Sequence, residues 1–404
     1  MVLFNGLKRG IFAPPMLSAD QQLEILKRAT VTIHSEKELA AKLARGKPLR
    51  VKLGVDPTSP DIHLGHAVAL RKLRQFQELG HQVVLIIGDF TAMIGDPSGR
   101  SSTRPPLTHE QVLANARTYT EQAFLVLERS RTEVVFNGDW FAKMPFTEVL
   151  ALNARVTLQQ MLQREDFKNR LAQGTEVRLH EIQYPIMQGW DSVVVRADVE
   201  IGGSDQLFNI LVGRDLQKEE GMEPQVCMTL PLLEGLDGVK KMSKSLNNYV
   251  GLSEPPREMF GKLMSIADAL MEKYFLLVLG EAMPADLHPM QAKKLLASRC
   301  VEIYHSAEAA RDCLEDWDLR FSKRDLAQAE LPLVPWTAEM TAFDLAKASF
   351  AQLGAVLSGG DIRRLLTQGS IQLNGEKLTD PKQVPAWQAG AVLKLDKKRS
   401  VRLA

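Results

Sequence analysis

Short apolar runs alternate with amphipathic stretches from Arg50 onward. RVKLGV (50–55) reads as a strand and DPTSPDIH as a loop. Leu70, Leu73, Phe76 and Leu79 then recur every three residues, which predicts a helix from about Leu64 to Leu79 with Gly80 as its C-cap. A second apolar run, VVLII (Val83 to Ile87), completes a β–α–β unit. An apolar strand bounded by turn residues suits a parallel sheet covered on both faces. Such sheets bind ligands beyond the carboxyl ends of their strands, so the loops 56–63 and 88–104 are the first places to look for chemistry. Further strands are predicted at Glu133 to Phe136, Asp198 to Ile201 and Gln225 to Met228, with helical patterns over 109–129, 148–164 and 205–220. This α/β core runs to about residue 235. A mainly helical stretch follows from Arg257 to about Lys323, then a Pro-containing connector (AELPLVPW), then a compact segment from about Thr341 that mixes a helical pattern with strand and turn signals such as Asn374-Gly375.

Length and composition narrow the class. A chain of 404 residues holds two or three domains, because single cores rarely grow beyond roughly 250–300 residues. With 45% apolar and 25% charged residues it has the balance of a soluble globular protein rather than a disordered or fibrous one. No window offers the roughly 18 apolar residues of a spanning helix. The first twenty residues place basic side chains and prolines where a secretory signal needs an uninterrupted apolar run, so a cytoplasmic protein is expected. Three scattered cysteines, Cys227, Cys300 and Cys313, fit a reducing compartment, and no CxxC suggests zinc. The net charge is only +1, so any contact with nucleic acid must be local. From Leu345 onward ten basic residues face four acidic ones, a local +6 that is the footprint an RNA contact requires.

Two segments carry candidate chemistry. GVDPTSPDIHLGH (Gly54 to His66) is a turn-rich loop ending in two histidines three residues apart at a predicted helix start. Both imidazoles then share one face beside unpaired backbone N–H groups, an anion site with two extra donors. Capping or core histidines remain an alternative. Zinc has no third ligand nearby, and the glutamate of HExxH is missing, so no metal site is expected. DGVKKMSKSLNN (Asp237 to Asn248) groups Lys240, Lys241 and Lys244 with Ser243 and Ser245 in a short phosphate-seeking loop. A solvated basic loop is its bland alternative. No GxGxxG occurs, so dinucleotide binding has no support.

Together, HxGH after the first strand and KMSKS after the last resemble the paired signatures of class I aminoacyl-tRNA synthetases over the first 250 residues. The resemblance implies a Rossmann-like parallel-sheet catalytic domain (1–235, with a dimer-interface insertion), a KMSKS-loop and helical anticodon-arm domain (236–330), and a small α+β domain (341–404). It also implies amino-acid adenylation: the substrate carboxylate attacks the α-phosphorus of ATP and pyrophosphate departs. Positioning and charge stabilisation carry most of such a reaction. The resemblance gives His63 and His66 the phosphate oxygens on one side, and has Lys241 and Lys244 close over the pyrophosphate as the catalytic cations. Gly54, Asp56, Thr58, Gly203, Asp205 and Ser245 complete the implied ATP site, and Mg²⁺ is expected with ATP.

Three further segments, TAMIGDPSG (91–99), YPIMQGWD (184–191) and GGSDQ (202–206), resemble those of tyrosyl-tRNA synthetases. Tyr184, Gln188 and Asp191, spaced by four and three, share one helix face. In that family the positions matching Asp96, Tyr184 and Gln188 hold the α-amino group of L-tyrosine, with Thr91 beside them. Asp191 accepts the phenol O–H, and Asp205 and Gln206 contact ribose and substrate. A helix-surface acid, a core aromatic and a helix cap are the respective bland alternatives. An acid paired with a buried hydroxyl selects against phenylalanine by roughly 10⁴ to 10⁵, a magnitude taken from tyrosyl enzymes themselves. One position departs from the pattern. Where many tyrosyl enzymes carry a second phenol-binding tyrosine, this chain has Lys52, on the strand face shared with Gly54 and Asp56. Its amine either replaces that contact or pairs with a neighbouring acid, and Lys52→Ala is expected to weaken tyrosine activation modestly.

SGGDIRRLLTQGSIQLNGEKL resembles an S-four-type RNA-binding fold, with Arg363, Arg364, Lys397, Lys398 and Arg399 as the implied contacts to tRNA(Tyr). Family resemblance also implies a homodimer with its interface around 130–165, and no membrane partner. A tryptophanyl-tRNA synthetase, a pantoate-activating ligase and a non-catalytic RNA-binding regulator are the competing readings. The YPIMQGWD pattern, the basic tail and the intact signature residues respectively speak against them.

Overall fold

Six short strands build the sheet that the apolar runs predict: β1 (Thr32–His34), β2 (Arg50–Val55), β3 (Gln82–Ile87), β4 (Thr132–Phe136), β5 (Val199–Gly203) and β6 (Val226–Leu230). The computed structural model describes residues 17–96, 107–322, 326, 329, 331–396 and 399–404. The chain forms two compact units, Met1–Ser306 and Ala307–Ala404.

In the first unit the strand order is β1-β6-β5-β2-β3-β4. All neighbours are parallel except β1, which runs antiparallel to β6 at the edge. The chain winds outward from β2 to β3 and β4, then returns to β5 and β6 on the other side of β2. The direction of winding therefore reverses between β2 and β5, and the crevice beyond their carboxyl ends is the ligand position of such sheets. Val51, Val83, Val84, Leu85, Ile86, Ile87, Val199 and Val226 are fully buried, because helices cover both faces.

Four helices position the site: α1 (Leu64–Glu78), α2 (His109–Ala123), α3 (Leu179–Val194) and α4 (Leu207–Glu219). α1 starts one residue after His63 and buries Leu70, Leu73 and Phe76, as the three-residue spacing requires. α3 and α4 pack side by side, with Gly189 and Gly213 at the crossing. A Cβ on Gly189 would sit 2.9 Å from the Gly213 nitrogen, so the two backbones approach as only glycines allow.

Several predicted elements differ. β1 and the helices Ala19–Lys27 and Glu36–Leu43 precede the expected start at Arg50. β1 spans only three residues, too few for a periodicity signal. The helical pattern over 148–164 breaks into Phe146–Asn153, Leu158–Met161 and Glu165–Ala172, because the Thr157 side chain accepts the Gln160 N–H and starts a new turn. The 109–129 pattern stops at Ala123, and Leu127 folds back into the core. Residues 97–106 of the expected 88–104 loop lie outside the described residues.

In the second unit a five-stranded sheet has the order β7-β11-β10-β8-β9, with β7 (Leu333–Val334), β8 (Gln372–Leu373), β9 (Glu376–Lys377), β10 (Val392–Lys394) and β11 (Ser400–Leu403). The connector thus contributes β7, parallel to β11. Asn374 and Gly375 both have positive φ, 46° and 91°, which is the tight hairpin turn between β8 and β9. Helices α5 (Ala342–Gln352) and α6 (Gly359–Thr367) close a core of Leu345, Phe350, Ile362, Leu366, Leu393 and Val401.

Candidate active site

β2 delivers Asp56 to the crevice. Its carboxylate accepts the Thr91 hydroxyl at 2.8 Å and the Tyr184 hydroxyl at 2.9 Å. A Cβ on Gly88 would stand 2.1 Å from Asp56 Oδ1 and 2.3 Å from Thr91 Oγ1, so glycine is required where β3 ends. Thr91 Oγ1 in turn accepts the Asn137 amide at 3.0 Å. That amide also lies 3.4 Å from Asp191 Oδ2, while Trp140 Nε1 donates to Asp191 Oδ1 at 3.0 Å. One polar chain thus links Tyr184, Asp56, Thr91, Asn137, Asp191 and Trp140 across the strand ends. Burial pushes the Asp191 carboxyl up to about 7, against the opposing pull of the Lys52 charge and the two donated hydrogen bonds. Burial, reinforced by the Asp56 carboxylate, also raises the Tyr184 phenol, so it stays protonated and donates.

A second cluster lies at the start of α4. Gln206 accepts the Gly203 N–H at 2.9 Å and donates to Asp96 at 3.3 Å. Arg164 reaches to 3.9 Å from Asp96 and donates to Asn209 at 2.8 Å. Asn209 donates to Gln188 Oε1 at 2.8 Å, and Gln188 Nε2 donates to Glu200 at 3.0 Å. Gln188 is therefore held at both ends of its amide. Lys52 Nζ lies 3.0 Å from Glu200, 2.7 Å from Ser192 Oγ and 2.8 Å from the Gln188 carbonyl. Of the two roles open to Lys52, pairing with a neighbouring acid is the one its surroundings display.

The histidine loop closes the other side. His63 caps α1, its backbone N–H donates to His66 Nδ1 at 3.3 Å, and the rings stack with centroids 3.8 Å apart. That bond assigns the His66 proton to Nε2. A Cβ on Gly65 would lie 3.0 Å from His63 Cε1 and Nδ1 and 3.5 Å from Met242 Cβ, which explains the glycine of HxGH. Burial, then the His66 ring and the Lys244 charge, push His63 down to about 2. Burial and Lys244 push His66 to about 4, so both rings are neutral donors. His63 Nδ1 is buried without a hydrogen-bond partner among the described residues.

The lysine loop lies against the same histidines. Leu64 N donates to Val250 O and Leu252 N to Ile62 O, each at 2.9 Å, and His63 and Gly251 form a β-bridge. Met242 is buried, which anchors the middle of KMSKS in the core. Asn248 accepts the Ser243 N–H at 2.8 Å and donates to Asp237 at 2.9 Å, shaping the loop from inside. Lys241 pairs with Asp205 at 3.0 Å and Lys244 with Asp61 at 2.5 Å, and the Ser243 and Ser245 hydroxyls meet at 2.9 Å. Gly203 permits the Asp205 carboxylate to fold back, since a Cβ there would stand 2.6 Å from its Oδ1. Thr58 turns beside Asp56 through its N–H to the Asp56 carbonyl at 2.7 Å, and a Cβ on Gly54 would meet nothing within 4 Å.

Apart from Lys52, which lies inside β2, the residues singled out from the sequence in the first unit gather at the carboxyl ends of the strands and in the loops beyond them. Asn137, Trp140, Arg164, Glu200, Asn209 and Asp61 join them without having been singled out. Asn137 and Trp140 follow the carboxyl end of β4, so the strand-end rule that selected loops 56–63 and 88–104 would have found them. In the second unit Arg363 and Arg364 are exposed on α6, Arg363 over the Phe343 ring at 4.7 Å and Arg364 paired with Asp361 at 2.9 Å. Arg399 pairs with Asp396, and Lys397 and Lys398 lie outside the described residues. Among the described residues no three His, Cys, Asp or Glu side chains group as metal ligands would, and no helix is long and apolar enough to cross a membrane.

Residues 44–322 match the family model of class I tRNA synthetases of the W and Y group. The chain is 50% identical over 394 residues to the tyrosine–tRNA ligase of Aquifex aeolicus, covering 96% of this chain and 99% of that one. It is 48% identical over 400 residues to the corresponding ligase of Moorella thermoacetica, covering 95% of each. Among solved structures it resembles a C-terminally truncated mitochondrial tyrosyl-tRNA synthetase of Aspergillus nidulans, with a TM-score of 0.61 at 23% identity, over 76% of this chain and 94% of that one. The tyrosyl-tRNA synthetase of Archaeoglobus fulgidus complexed with L-tyrosine gives 0.59 at 22% identity, over 73% and 99%. At these identities the structural likeness speaks for the fold alone.

Proposed function

The chain belongs to the class I tyrosyl-tRNA synthetases, and we propose that it activates L-tyrosine with ATP and passes the tyrosyl group to the 3′ end of tRNA(Tyr) using the residues gathered at the β2–β5 crevice. One observation carries this assignment of roles: the backbone bonds of residues 62–64 to 250–252, which hold the two neutral imidazoles against the KMSKS loop.

In this reading Asp191 accepts the phenol O–H, while Asp96, Tyr184 and Gln188 orient the ammonium group with Thr91 and Gln206 beside them. The tyrosine carboxylate is thereby aimed at the α-phosphorus of ATP. Gly54, Asp56, Thr58, Gly203, Asp205 and Ser245 line the nucleotide. The carboxylate oxygen forms a bond to phosphorus as the bond to the pyrophosphate oxygen breaks, and negative charge grows on the leaving group. His63 and His66 donate to the phosphate oxygens without adding charge. Lys241 and Lys244 exchange Asp205 and Asp61 for the departing pyrophosphate, so stabilisation strengthens as charge develops. Because no three His, Cys, Asp or Glu side chains group as metal ligands among the described residues, Mg²⁺ would be held mainly by the ATP itself and would supply further positive charge against the phosphate charge that His63, His66, Lys241 and Lys244 face. In the second step a hydroxyl of the terminal ribose of tRNA attacks the adenylate carbonyl and AMP leaves.

The parts proposed for this work are a catalytic region at 1–235, the loop and helical anticodon-arm region at 236–330, and an RNA-binding region at 341–404 in which Arg363, Arg364, Lys397, Lys398 and Arg399 meet tRNA phosphates. A homodimer is supported by Phe146 and Leu150, one turn apart on helix Phe146–Asn153 and 74% and 52% exposed, and by Leu158 at the start of the next helix, 55% exposed. A cytoplasmic location follows from the role in protein synthesis. Tyrosine-dependent exchange of pyrophosphate into ATP, run beside tryptophan and pantoate, tests the reading. Exchange with tyrosine alone is expected, and exchange driven by either competitor instead would overturn it.

A further inference from the structure

The Lys52 ammonium is fully engaged. An ammonium has three N–H donors, and Lys52 Nζ has three acceptors: the Gln188 carbonyl at 2.8 Å, Ser192 Oγ at 2.7 Å and Glu200 Oε1 at 3.0 Å. Glu200 is equally saturated, accepting Gln188 Nε2 at 3.0 Å, Ser192 Oγ at 2.9 Å and Gln225 Nε2 at 2.5 Å besides Lys52. Both residues are fully buried. A donor set with nothing left cannot also bond a substrate phenol. Two of its three acceptors, Gln188 and Ser192, flank Asp191 on the same turn of α3.

We infer that Lys52 is a positioning residue for tyrosine recognition: it clamps the 188–192 turn of α3 onto β2 and β5 and holds positive charge behind the Asp191 carboxylate, without touching the substrate. The inference rests on the proposed role of Asp191 as the phenol acceptor. Among the described residues the other charged group acting on Asp191 is negative. Glu200 approaches from β5 and Tyr184 from α3 itself, with Asp56 accepting the Tyr184 hydroxyl beyond it. The short helix Thr91–Ile94 brings no titratable side chain and is followed by Asp96, helix Phe146–Asn153 brings only the exposed Glu148, and Arg214 of α4 is tied to Glu38 and the Gln225 carbonyl. Among the described residues Lys52 is thus the cation that keeps the buried acid ionisable, and its influence on Asp191 outweighs that of Glu200.

Lys52→Ala alone strands the buried Glu200 charge and therefore tests folding as much as recognition. The decisive variant is Lys52→Met/Glu200→Gln, which removes both charges and leaves acceptor and donor atoms for Ser192 and Gln225. Its folding is checked by thermal melting. kcat/KM for tyrosine and for phenylalanine in ATP–pyrophosphate exchange is then followed from about pH 6 to pH 9, since this ratio reports groups of the free enzyme. With the ammonium gone, burial moves the Asp191 titration further up. A rise of about one pH unit from about 7 lowers the ionised fraction at pH 7 roughly fivefold, and the deficit closes near pH 9. The expected result is a roughly fivefold loss for tyrosine at pH 7 that disappears at high pH, with a smaller loss for phenylalanine. A loss that persists unchanged to pH 9, or falls equally on both amino acids, would overturn the inference, the former being the signature of a direct contact. Absence of tyrosine-dependent exchange in the unaltered chain would instead sink the functional reading beneath it.

Discussion

Replacing Asp191 by asparagine should stabilise the protein at pH 8 while disabling it. Asp191 is 3% exposed, and its carboxyl titrates at about 7 instead of the roughly 3.9 of an unfolded chain. A carboxyl raised on folding binds its proton more tightly in the native state. Native stability therefore falls as pH climbs from about 4, and the loss is complete above about 7. At about 1.4 kcal/mol per pH unit, ionised Asp191 costs on the order of 4 kcal/mol at pH 8. Asparagine removes that cost and keeps an oxygen for Trp140, but turns an N–H₂ toward the Asn137 amide that now donates to Oδ2. The mismatch costs about 1–2 kcal/mol. A net gain of roughly 2–3 kcal/mol is expected at pH 8, and about none at pH 5, where only about 1.5 kcal/mol of the cost has accrued and the mismatch cancels it. Thermal melts at the two pH values measure the difference. In the same variant kcat/KM for tyrosine should drop about 10- to 150-fold, the worth of a hydrogen bond to a charged acceptor, while phenylalanine is little affected. A variant less stable than its parent at pH 8, or one that activates tyrosine normally, would refute the account of this acid.

Three other outcomes follow from the geometry. Gly65→Ala places a methyl 3.0 Å from the His63 ring, so adenylation should slow about tenfold, yet the melting temperature should hold because alanine favours the helix by about 1 kcal/mol over glycine; parallel losses of activity and stability would contradict this. Asp61→Asn frees Lys244 from its partly exposed ion pair, and since such pairs are worth about 0–1 kcal/mol, KM for ATP should fall by up to about fivefold, an unchanged or higher KM counting against the exchange of partners. Deleting 341–404 should leave pyrophosphate exchange intact and depress tRNA charging, with a salt dependence shallower than that of the full chain; equal charging would remove the basic segment from the RNA contact.

Local order was legible in the chain itself. RVKLGV and the 64–78 helix stand where three-residue and strand patterns put them, since burial of one face is a property of neighbours along the sequence. The HxGH and KMSKS loops were recognisable because each chemistry needs particular residues at short spacing, and so was the shared face of Tyr184, Gln188 and Asp191. Partnerships between distant segments were decided only by the fold. The sheet order sets β2 against β5, and that adjacency alone brings Glu200 to Lys52, which no spacing could announce. In the same way Asn137 and Trp140 reach Asp191 because β4 ends beside β3, and Lys244 finds Asp61 across 183 positions because the backbone of 250–252 pairs with that of 62–64. Side-chain type sets what a residue can bond. Which partner it meets depends on which strands lie together, and that is a property of the whole packed sheet.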